Sequence, residues 1–178
     1  MALSATIYNF NIDLADADRR VYESIELRVA RHPSESEEYL VARVLAYLLE
    51  FAEGIEFSRG VSDPHEPTIA IRDLTGAITK WVDIGTPDAA RLHKASKAAN
   101  RVAVYTHKDP TRFLRQLAGE KIHRAETLEL YAIDRALIHA LVMHLERRVT
   151  FSLSVSDHEL YLSIGADNFT GAIVRLNR

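Results

Sequence analysis

The sequence predicts an α/β fold: a mixed sheet with helices on both faces, extended by antiparallel strands from the two ends of the chain. Three observations lead there. In the middle of the chain, helical stretches alternate with short apolar strands, so successive strands are joined by crossovers. At the N-terminal end, apolar and polar residues alternate over two strand-length runs, and the tail carries three further strand-like runs joined by polar turns. With 178 residues, 47% of them hydrophobic, the chain can bury a substantial core, and a single domain spanning 1–178 is expected.

The elements follow in order. LSATIYNFNID (3–13) and RVYESIELRVA (20–30) read as a hairpin with one packed and one wet face, turning through LADADR. A helix is expected from Ser34 as N-cap, with Glu37 at the third position of a capping box, to about Ala52, where Gly54 stops it. At about 100° per residue, Leu40, Val41, Val44, Leu45, Leu48, Leu49, Phe51 and Ala52 form its inward stripe, Glu38 lies near the edge of that stripe, and Glu35, Arg43 and Glu50 point outward. A short strand at 55–59 and a loop over 60–65 lead to a second hairpin, 66–72 and 77–84. Thr86 and Pro87 then open a helix to about residue 98, with Leu92, Ala95 and Ala99 packed and Arg91 on the same side. A strand at 101–106, a helix capped by Asp109, a strand at 128–133 and a helix capped by Asp134 complete the middle segment. Strands near 148–156, 159–165 and 169–176 close the chain.

Composition narrows the chemistry. There is no cysteine, which excludes disulfides, thiolate ligands and thiol nucleophiles and fits a reducing compartment. The opening MALSATIYNF lacks the positive region of a secretion signal and no stretch reaches the length of a membrane span, so the expectation is a cytoplasmic protein with no membrane partner. A formal charge of −3 provides no global attraction to nucleic acid. The segment Lys121-Ile122-His123-Arg124 is locally basic but short. No Gly-x-Ser-x-Gly elbow, Gly-x-Gly-x-x-Gly turn or HExxH helix is present.

The chemistry-bearing stretch is EPTIAIRDLTGAITKWVDIG, 66–85. Asp73-Leu74-Thr75-Gly76 is the expected turn, and pairing Arg72 with Ala77 sets Thr68 opposite Trp81 and Glu66 opposite Asp83. Facing side chains in an antiparallel pair stand roughly 5 Å apart. Two carboxylates that close repel unless a cation or proton lies between them, which points to a divalent metal site; the alternative is a pair of solvated strand ends. Asp63 and His65 border the same opening, and Arg91 and Lys94 enter just beyond it.

Several segments together resemble the YaeQ family of bacterial proteins: MALSATIY at the start, ARHPSES at 30–36, RVLAYL at 43–48, and WVDIGTPD at 81–88 followed by Arg91 and Lys94. The resemblance covers essentially the whole chain. It implies a variant of the PD-(D/E)XK nuclease fold, the restriction-endonuclease-like α/β/α core, and a family without an established activity. Carried over by that resemblance, Glu38 takes the helix-glutamate role, and Glu66 and Asp83 take the metal-holding strand acids. The usual proline-acid order is inverted at Glu66-Pro67, and Gly85 stands where a lysine is expected, leaving Lys94 or Arg91 to replace it from the following helix. The implied activity is phosphodiester hydrolysis assisted by Mg²⁺ or Mn²⁺, with nucleic acid as substrate through a local basic cluster. The competing expectation is a non-catalytic interaction or regulatory protein on the same scaffold, with a protein partner.

Overall fold

The computed structural model describes residues 4–58 and 63–177. Its elements run β1 (Thr6–Asp16), β2 (Val21–Arg31), α1 (Glu37–Leu49), β3 (Ile55–Phe57), β4 (Ile69–Arg72), β5 (Ile78–Ile84), α2 (Ala89–Ala98), β6 (Arg101–Thr106), α3 (Pro110–Leu117), β7 (Glu129–Ile133), α4 (Arg135–Met143), β8 (Arg148–Ser156), β9 (Glu159–Ile164) and β10 (Asp167–Arg175). This is an α/β fold with mixed strand pairing. By contact density it divides into two compact units, one holding residues up to Val41 with Ile133–Ile173, the other Ala42–Ala132 with the segment from Val174.

In the first unit the strand order is β2-β1-β8-β9-β10. β1 and β2 are antiparallel, with Phe10 opposite Leu27, and β1 and β8 are parallel, with Ile12 opposite Phe151. Tyr8, Phe10, Ile12, Leu14, Val149, Phe151, Leu153 and Val155 are buried, while the intervening β8 residues are exposed. Strict alternation is what a sheet with one wet face requires. α4 starts where Asp134 caps the backbone N–H groups of Ala136 and Leu137.

In the second unit the order is β7-β6-β5-β4-β3, parallel from β7 to β5 and antiparallel from β5 to β3. β5 is buried from Lys80 to Ile84. α2 and α3 cover one side of it: Trp81, Leu92, Ala95, Val102, Val104 and Phe113 form one apolar cluster. Lys80 and Tyr105, on the alternate side, meet Glu50 just after α1.

Three local expectations are corrected. The N-cap of α1 is Ser36, not Ser34: its Oγ accepts from Tyr39 N at 3.0 Å, so Glu37 is the first helical residue rather than the third. The Ser34 hydroxyl bonds His32 Nδ1 instead. The N-cap of α2 is Asp88, not Thr86, with its carboxylate accepting from Arg91 N at 2.8 Å; a charged acceptor at a helix start also meets the dipole. Finally, Glu50 is buried rather than outward-pointing. The α-helix ends at Leu49, so the phase that sends residue 50 to solvent no longer applies. Of the strand expected at 55–59, Ile55–Phe57 is formed, and Arg59 to Ser62, including the expected loop start, lie outside the described residues.

Candidate functional site

Asp83 is the penultimate residue of β5 and is 1% exposed. A buried carboxylate demands a counter-charge and hydrogen-bond donors, and Arg91 supplies both. Its Nε donates to Oδ2 at 2.7 Å and its Nη2 to Oδ1 at 2.9 Å, a bidentate pair. Oδ1 also accepts from Thr68 N at 3.3 Å and lies 3.4 Å from the Thr68 hydroxyl. Arg91 further donates to the carbonyls of Asp63 (3.1 Å) and Glu66 (2.8 Å), and its guanidinium lies 5.5 Å from the Trp81 ring centroid. The helix residue therefore ties the strand end to the segment preceding β4.

The hairpin register differs from the expected one by two residues. Ala70 faces Trp81 and Ile69 faces Val82, so Thr68, not Glu66, comes level with Asp83. One residue of the shift arises at the turn, where Arg72 pairs with Ile78 rather than Ala77. The other is a bulge: Ile71 pairs with Lys80, leaving Thr79 extra, with its hydroxyl donating to Ile71 O at 3.0 Å. An even shift preserves which side of the sheet each residue faces, but it carries Glu66 beyond the first residue of β4. The Glu66 side chain is half-buried and, with Glu56, Phe57, Ser58, Pro67, Ala70 and Arg72, lines a cavity of about 280 Å³.

The remaining sequence candidates are dispersed. Lys94 is exposed on α2 and its Nζ contacts His65 Nδ1, while Asp63 Oδ1 accepts from His65 N. Glu38 is exposed in the first turn of α1, in the first unit; Glu66, Asp83, Arg91 and Lys94 all belong to the second. Gly85 has φ +89°, a conformation that a lysine at that position would adopt only with strain. Among the described residues, no group of three or more His, Cys, Asp or Glu side chains is placed to hold a metal ion. The donor set at Asp83 also fits a metal poorly, because both carboxylate oxygens already accept from the Arg91 guanidinium and Oδ1 from Thr68 as well, so an ion would have to share the carboxylate with a bound cation.

A second polar cluster escaped the sequence reading. Lys80 Nζ lies 2.6 Å from Glu50 Oε2 and 3.4 Å from Glu129 Oε1. Tyr105 donates to Glu50 Oε1 at 2.6 Å, and Arg101 and Tyr131 donate to Glu129. The Tyr105 and Tyr131 rings stack at 5.0 Å. Burial, followed by the Glu50 carboxylate, pushes the Tyr105 phenol well above its ordinary range. Burial acts to raise Glu129, but the Arg101 hydrogen bond and the charges of Lys80 and Arg101 outweigh it and hold the carboxyl low. The available signal was Lys80 itself, a lysine inside a strand buried on both sides.

Comparison with known proteins places this geometry in context. A family profile described as "YaeQ protein" matches residues 1–172. Proteins described as "Uncharacterized protein YaeQ" from Escherichia coli (strain K12) and Salmonella typhi are each 31% identical over 169 residues, covering 94% of this chain and 93% of theirs. The crystal structure of the YaeQ protein from Pseudomonas syringae superposes with a TM-score of 0.87 at 26% identity, covering 98% of this chain and 97% of that one. The corresponding structure from Xanthomonas axonopodis pv. citri gives 0.87 at 28%, covering 98% and 99%. No helix among the described residues is long and apolar enough to cross a membrane.

Proposed function

Because this chain belongs to the YaeQ family and its buried strand-end acid is already neutralised from within, we propose that it is a non-catalytic interaction or regulatory protein built on a nuclease-like scaffold. The observation that carries the reading is the Asp83–Arg91 pair. A metal at Asp83 would displace a bidentate guanidinium or share an oxygen with that cation. Separating a buried pair costs about 3–5 kcal/mol, because one charge is left uncompensated. The left-handed backbone at Gly85 agrees with this reading, since the position is shaped for a turn rather than for a catalytic lysine.

One observation favours the hydrolytic alternative: Arg91 and Lys94 both reach from α2 to the segment 63–66, where a relocated basic group would act. In that reading Glu66 and Asp83 would hold Mg²⁺ or Mn²⁺, which would supply a water acidified for attack. Arg91 or Lys94 steadies charge developing on the phosphate oxygens.

Calorimetric titration of Mn²⁺ into the parent and into Asp83→Asn separates the two. The interaction reading expects no Asp83-dependent heat at millimolar Mn²⁺ and no cleavage of single-stranded, duplex or branched DNA or of RNA. Saturable binding by the parent that Asp83→Asn abolishes would overturn it.

A further inference from the structure

We infer that the outer surface of α2, α3 and the segment joining α3 to β7 is a docking face for the phosphodiester backbone of nucleic acid. The inference deepens the interaction-protein reading by naming the partner, and it requires no metal. Charge in this chain is segregated. Residues 85–128 hold nine of the 22 Lys and Arg but only four of the 25 Asp and Glu, leaving 13 basic and 21 acidic residues elsewhere. Two of those four acids, Asp88 and Asp109, are engaged as helix N-caps.

The fold gathers the cations on one side. Leu92, Ala95 and Phe113 turn α2 and α3 toward the same apolar cluster over β5 and β6, which leaves Lys94 and Lys97 exposed on α2 and Arg112 and Arg115 exposed on α3. Each pair is three residues apart and so shares a helix face. The segment 121–124 is fastened to α2: His123 N donates to His93 Nδ1 at 3.0 Å, Ser96 Oγ bonds His123 O, and Arg124 donates to Ala99 O at 3.0 Å. That holds the segment bearing exposed Lys121 against α2. The short basic run in the sequence is thus one part of a wider patch.

Charge alone would also attract an acidic protein, but the surroundings favour phosphates. Protein interfaces depend on large apolar or aromatic anchors at their centre. The exposed large hydrophobic residues among those described are Tyr22, Leu74, Met143, Tyr161 and Val174, all outside 85–128. A regular phosphate backbone is held by spaced cations without such anchors.

The test is fluorescence anisotropy with a labelled duplex and the matching single strand, in EDTA, from 50 to 200 mM KCl. About five phosphate contacts give a log–log salt slope near −4, an affinity loss of about 10²-fold across that range. The triple variant Lys97→Gln/Arg112→Gln/Arg115→Gln should lower the slope by about 3 and weaken binding at least ~10-fold at 50 mM KCl. A charge-matched control, Arg28→Gln/Arg135→Gln/Arg148→Gln, changes exposed residues of the first unit and should bind like the parent. Absence of saturable binding at 50 mM KCl, equal losses in both triple variants, or equally tight binding of polyglutamate would each overturn the assignment. Because no metal is present, none of these results bears on Asp83.

Discussion

Removing the Arg91 guanidinium while keeping its stem, in Arg91→Met, tests the claim that this cation belongs to the fold rather than to a ligand. Asp83 has a 2% exposed side chain and Arg91 a 23% exposed one, so the variant strands a carboxylate that solvent barely reaches. Orphaning one member of a buried pair costs about 3–5 kcal/mol. Thr68 still donates to Oδ1 and Met retains the packing of the stem, which puts the expected loss at the lower end, about 3 kcal/mol. For a chain of this size that is roughly 6–12 °C in Tm. Two carbonyls, of Asp63 and Glu66, lose their donor as well, both on residues that are only partly buried. Urea denaturation read by tryptophan fluorescence is the natural assay, since Trp81 lies 5.5 Å from the guanidinium. The double variant Arg91→Met/Asp83→Leu closes the cycle and should recover a large part of the loss, because a well-packed apolar pair commonly equals a buried ionic one. A loss below about 1 kcal/mol in Arg91→Met, or no recovery in the double variant, would refute the reasoning.

Two further outcomes follow from the same physics. Lys80→Met leaves Glu50 with the Tyr105 hydroxyl but no cation and should destabilise by about 3 kcal/mol, whereas Lys80→Met/Glu50→Gln, which removes the stranded charge and keeps an acceptor for Tyr105, should recover a large part of the loss; chemical denaturation of the two variants checks this. His144 is held above the ordinary histidine value by the Ala140 carbonyl first and then by Asp167. A raised folded-state pKa contributes stability that is fully present below the unfolded value of about 6.5 and disappears as pH rises through the folded one. His144→Gln should therefore trail the parent in stability at pH 5.5 and converge with it by pH 8.5, and imidazole NMR titration should place the midpoint above that of a free histidine.

What the amino-acid order determined by itself is the succession of elements, the α/β class and family membership. Those are local or whole-chain properties: period-two alternation marked β1 and β2, Asp109 and Asp134 announced their helices, and the 81–94 motif carried the resemblance. The inward direction of Arg91 was also legible, because helical phase against Leu92 and Ala95 fixes it. Only tertiary structure decided what Arg91 does there. Whether Glu66 or Thr68 stands level with Asp83 depends on a one-residue shift at the turn together with one bulged residue, Thr79, and neither leaves a mark in hydrophobic pattern. Glu50 and Lys80 find each other across a helix end and a sheet face, and Glu129 joins them from 49 residues beyond Lys80, distances at which sequence spacing carries no geometric information. The basic face is of the same kind. Its cations are spread over two helices and a connecting segment, and they become one surface because the apolar sides of those helices share a core.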